Sequence, residues 1–124
     1  MFELSKQFRF DAAHTLDRVI ETESSRRIHG HSYRAEVFVR GLPDPTTGMV
    51  VDLGLLQRTM EGARDALDHR FLDEINDLGP ATMENLSRWI WKRLSPVIGN
   101  LHKVTVYRDS SGEACSYWGE EVVA

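Results

Sequence analysis

The chain has 124 residues with 15 basic and 19 acidic side chains, a net charge of −4, so it has no broad basic face for phosphate backbones and no nucleic-acid partner is expected. Hydrophobic residues make up 41%, enough for one buried core, yet no run reaches the ~18 apolar residues of a membrane span. The single cysteine, Cys115, excludes an internal disulfide.

The first segment, MFELSKQFRF, alternates in polarity, which marks a strand and not a signal peptide, so a cytoplasmic location is expected. Phe2, Leu4, Phe8 and Phe10 share one parity, opposite to Glu3, Ser5, Gln7 and Arg9. An extended path carries the apolar parity through Ala12 to His14. Asp17 to Arg27 is polar and reads as a loop. In the second strand Tyr33, Ala35, Val37 and Val39 share a face with His29 and His31, while Arg34, Glu36 and Arg40 point the other way. Pro43, Asp44, Pro45 and Gly48 make the next stretch a turn or loop.

Asp52 is placed to cap a helix whose stripe is Leu53, Leu56, Met60, Ala63 and Leu67, with Asp68 and His69 at its end. After a break at Gly79 and Pro80, Thr82 caps a second helix with Glu84 in its first turn. Leu86, Ile90 and Leu94 form its stripe, and Pro96 and Gly99 end it. A third strand covers residues 103–107, a turn surrounds Gly112, and a fourth strand covers residues 114–118. The order ββααββ predicts an α+β fold: residues 1–124 as one domain, with a four-stranded antiparallel sheet and two helices on one face. Its exposed edges predict association between copies.

His29 and His31 are spaced so that, on a strand, both imidazoles point the same way, and Gly30 leaves room on the opposite face. With His14 from the neighbouring strand they would make a three-imidazole zinc site with an open fourth position. A lone His-x-His is more commonly a pair of satisfied or exposed histidines, so the third ring carries the argument. Asp68 beside His69 reads either as an oriented acid–base pair or as a helix C-terminus that favours histidine. Cys115 reads as a packing residue.

The segments FRFDAAHTL, HGHSYRAEVFVRG, TGMVVDLGLL, LDHRFLD, ATMENLSRWIW and YWGE follow one another in this order. In them the chain resembles the 6-pyruvoyl-tetrahydropterin synthases and the related 6-carboxy-tetrahydropterin synthases of queuosine biosynthesis. The resemblance runs from Phe2 to about Glu120. It implies a tunnelling fold whose subunits join sheets into a β-barrel, usually a homohexamer built as a dimer of trimers with sites at subunit interfaces. It implies zinc on His14, His29 and His31, proton transfer by His69 and Asp68, and a pterin pocket that includes Glu84 and Thr82. The implied activity is a zinc-dependent lyase acting on 7,8-dihydroneopterin triphosphate or a related pterin.

Two positions depart from the family pattern. Ser25 stands where relatives carry Cys, and a serine hydroxyl is a far weaker nucleophile or base than a thiolate. Glu23 or Glu21, just upstream, would have to stand in for it. Arg108 stands where the family places a Glu that accepts from the pterin, and arginine only donates. Asp109 has suitable chemistry but the opposite parity unless a bulge turns it inward. These departures leave open a relative that keeps the zinc site for another substrate, with Arg108 meeting an anionic group. They also leave open a non-catalytic metal- or pterin-binding module.

Overall fold

The computed structural model describes residues 1–120. Strands β1 (Phe2–His14) and β2 (His29–Gly41) pair antiparallel along their whole length, from Phe2 opposite Gly41 to His14 opposite His29. Between them lies α1 (Thr22–Arg26), followed after β2 by α2 (Leu53–Leu67). Next come β3 (Arg70–Phe71), α3 (Met83–Leu94), β4 (Leu101–Arg108) and β5 (Glu113–Tyr117). The sheet order is β3-β1-β2-β4-β5, with β3 parallel to β1 and every other neighbour antiparallel.

Both long helices begin where their caps direct. Asp52 accepts from the Gly54 and Leu55 amides at 2.8 and 3.3 Å, and Thr82 accepts from the Asn85 amide at 3.1 Å. Leu56, Met60, Ala63 and Leu67 of α2, and Leu86, Ile90 and Leu94 of α3, join one core against a single sheet face. That face is Phe10 and Ala12 of β1, Tyr33, Ala35, Val37 and Val39 of β2, and Val104 and Val106 of β4. It is the face predicted from strand parity, and His14 lies on it, buried.

The predicted four-stranded antiparallel sheet is corrected to a five-stranded mixed one. The added strand has two residues and no side-chain pattern to announce it. It forms because α2 ends at a left-handed His69 (φ 57°), whose amide donates to the Asp11 carbonyl at 2.7 Å and sets the chain beside β1. The polar stretch read as a loop contains α1, too short for a hydrophobic stripe. Its entry residue Glu21 is also left-handed and makes no side-chain cap. The apolar alternation of β1 outruns the helices: Phe2 is 59% and Leu4 36% exposed, and they border one hollow with Met49 and Leu53, also exposed.

Candidate metal centre and adjoining pocket

The register of β1 and β2 brings the three histidines together. His14 ends β1 directly opposite His29, and His31 faces Ala12 one step along the same side. Gly30 sits between them, where a Cβ would lie 3.4 Å from the Ala12 carbonyl oxygen. Nε2 of His14 lies 2.9 Å from Nε2 of His29 and 3.1 Å from Nε2 of His31. The rings stand edge-on to one another, at 72–90° between planes.

Their outer nitrogens settle the tautomers. Nδ1 of His14 donates to the Ala81 carbonyl at 2.8 Å, and Nδ1 of His29 donates to the Arg27 carbonyl at 2.7 Å. A carbonyl only accepts, so each Nδ1 carries the proton and each neutral Nε2 presents a lone pair. Nε2 of His31 faces the Arg108 guanidinium at 3.3 Å, which again makes it an acceptor. Three lone pairs therefore converge on one point, an arrangement that repels itself unless a cation sits there. A backbone carbonyl behind a ligating histidine is also the usual outer support of a metal site. The donor set thus fits a divalent metal that favours imidazole.

Electrostatics point the same way. Burial pushes the His14 imidazole down, against the opposing pull of its bond to Ala81. Burial, with the Arg108 charge next, pushes His31 down to about 4. Burial therefore favours the neutral form of both rings, and protons compete less for their lone pairs.

Beside the triad opens a cavity of about 400 Å³ that includes Tyr33, Thr82, Glu84, Arg108 and Glu113 in its wall. The Thr82 and Glu84 of the sequence reading are thus at the site, brought there because α3 starts against it. Arg108 does not point to solvent. Its side chain is 16% exposed, and Nη2 donates to Glu113 Oε1 at 2.7 Å. Asp109 turns the other way, bonding Arg34 at 2.9 and 3.0 Å, so no bulge carries it into the pocket.

The other predicted residues stand apart from the triad within one chain. The Ser25 hydroxyl is buried, donates to the Thr22 carbonyl at 2.8 Å and accepts from the Arg18 amide at 3.2 Å. Both of its roles hold the α1 loop together. Glu23 is 90% exposed and pairs with Arg27, while Glu21 pairs with Arg18. Asp68 accepts from the Asp11 amide at 2.9 Å, which holds its carboxyl below the usual range, and it meets His69 Nδ1 at 3.0 Å. His69 is 80% exposed and opens on a second cavity of about 520 Å³, which His31 of the triad lines as well, with Ala13, Gly30 and Phe71. Cys115 packs 3.9 Å from the Ser87 hydroxyl, with its thiol pushed up by burial.

Sequence reasoning missed Glu113, which it left in a turn. The available signal was charge complementarity across that turn, since Arg108 and Glu113 are paired residues of the β4–β5 hairpin. Strand parity puts Tyr33 on the apolar face with His29 and His31. It is buried, its hydroxyl pushed up to about 12 by that burial, yet it also borders the pocket.

The family profile described as 6-pyruvoyl tetrahydropterin synthase matches residues 3–120. The human 6-pyruvoyl tetrahydrobiopterin synthase is 34% identical over 134 residues, covering 95% of this chain and 92% of the human one. The 6-carboxy-5,6,7,8-tetrahydropterin synthase of Synechocystis sp. is 32% identical over 120 residues, covering 92% of each chain. The solved structure of Caenorhabditis elegans 6-pyruvoyl tetrahydropterin synthase superposes with a TM-score of 0.82 at 29% identity, over 96% of both chains. Coverage of nearly the whole chain by profile, relatives and structure alike places it in the 6-pyruvoyl tetrahydropterin synthase family.

Proposed function

We propose that the chain is a zinc-dependent lyase of the tetrahydropterin synthase type, with the metal on His14, His29 and His31. Its substrate would be 7,8-dihydroneopterin triphosphate or a closely related pterin, converted to a 6-carboxy- or 6-pyruvoyl-tetrahydropterin. The observation that carries this reading is the convergence of three Nε2 lone pairs beside a 400 Å³ cavity. Bound zinc would supply Lewis acidity at a substrate oxygen.

The chain's own residues supply the rest. Tyr33 and the start of α3 form the wall on which a flat heterocycle would rest, with Thr82 and Glu84 beside it. Asp68 holds the His69 ring through Nδ1, which leaves Nε2 to take or give a proton. Ser25 has its hydroxyl engaged by backbone, so proton transfer falls to His69. His69 borders the cavity that His31 also lines, while Thr82, Glu84 and Arg108 border the one that His14 lines, and the reading includes association of copies into a larger assembly. Exposed Phe2, Leu4, Met49 and Leu53 support such an assembly, as do the edge strands β3 and β5. No helix among the described residues is long and apolar enough to cross a membrane.

The test is to incubate zinc-loaded protein with 7,8-dihydroneopterin triphosphate and follow triphosphate release and product mass. Release with a 6-carboxy or 6-pyruvoyl pterin is expected. An unconsumed substrate with metal bound would overturn the assignment. It would favour a second reading, the same site serving another substrate, for which the inward Arg108 is the specific observation.

A further inference from the structure

Arg108 ends β4 inside the pocket and is incompletely partnered. Nη2 is held by Glu113 Oε1, and Nη1 lies 3.3 Å from His31 Nε2. Nε is buried and has no acceptor among the described residues. A guanidinium carries five N–H donors and accepts nothing, so an orphaned buried Nε is a donor awaiting a ligand.

The contact to His31 carries the argument further. It uses the very lone pair that a metal on the triad would take. With that lone pair on a dication, Nη1 loses its acceptor, and a fixed guanidinium charge is left a few ångströms from a second cation. Glu113 offsets part of that charge from the Nη2 side, while Nη1 is the end that faces His31. The arrangement is relieved when an anion lies between the two cations, bound to the metal on one side and accepting from Arg108 on the other.

We infer that Arg108 couples the metal to an oxyanion, so that the two bind here cooperatively and the ligand presents a carboxylate or phosphate oxygen at the metal's open position. This rests on the metal assignment above and adds to it a substrate class and a residue that selects it. Glu113 is the positioning residue that keeps the guanidinium turned inward. Coupling is reciprocal: the anion tightens the metal by the factor by which the metal tightens the anion.

The experiment measures zinc affinity by chelator competition, for the native chain and for Arg108→Met, with acetate, with methyl phosphate and with neither. In the native chain the preferred anion should tighten zinc by about tenfold or more, within the usual range of coupling between sites. The stronger of the two anions identifies the ligand as carboxylate or phosphate. In Arg108→Met, zinc should bind more tightly without anion and the enhancement should disappear. Arg108→Lys should restore part of it, and Arg108→Gln replaces Arg108→Met if the latter fails to fold. Equal enhancement in native and variant chains, or none in the native chain, would overturn the inference while leaving the metal site standing. Failure of both chains to bind zinc would overturn the metal assignment and the inference together. Cooperative binding without turnover of the pterin would support this inference and overturn only the pterin substrate.

Discussion

Replacing His14 with Ala should lower zinc affinity by more than about 100-fold and abolish turnover. Loss of an outer-shell partner alone commonly costs ~10–100-fold in metal affinity, and His14 is the ring at the centre of the triad. Its Nε2 contacts both other imidazoles, and it is 1% exposed, so its removal takes away the ligand that joins the other two. Stability of the metal-free protein should change much less, because two effects oppose. The Ala81 carbonyl loses its donor, which costs ~1–3 kcal/mol when buried. Against this, removing one of three converging lone pairs relieves their repulsion. Elemental analysis and thermal unfolding, with and without zinc, check both parts. His69→Ala is the control, since His69 lies outside the triad, and it should keep its metal. Full zinc retention in His14→Ala would remove that residue from the site.

The second large effect is mechanical. Phe10 is 2% exposed and stacks on Tyr33 with centroids 4.9 Å apart, and Tyr33 in turn meets the His31 ring at 5.7 Å. Phe10→Ala should therefore destabilise the fold by ~3–5 kcal/mol, the usual cost of truncating a buried Phe. For a chain of this length that corresponds to a fall in Tm of roughly 10–25 °C. Zinc affinity should fall as well, because Tyr33 no longer backs His31. Thermal unfolding checks the first and chelator competition the second. A shift of only a few degrees would mean that Phe10 is not part of the platform beneath the site.

Much of this platform was legible in the residues. Strand parity alone placed His14, His29 and His31 on the face of Phe10 and Tyr33, and the caps Asp52 and Thr82 located both long helices. What parity does not contain is register. His14 meets His29 only because the chain between them folds into α1 and closes through backbone bonds, including Leu16 N–H to the Ser25 carbonyl at 2.7 Å. The same limit hid β3, a two-residue strand made by backbone bonding at a left-handed His69. Parity puts Arg108 on the face of Val104 and Val106, but it does not show what holds so long a side chain at a strand end. The hairpin supplies that, by putting Glu113 opposite to hold the guanidinium inward. Ser25 shows the converse: it could be recognised by position, yet its hydroxyl serves the loop.

X-ray absorption at the zinc edge of the loaded protein tests the central claim most directly. Three imidazole nitrogens at ~2.0–2.1 Å with one further light atom are expected for His14, His29 and His31 around an open position. A sulfur scatterer at ~2.3 Å, which only Cys115 or a methionine could supply, or a shell without imidazole, would contradict it.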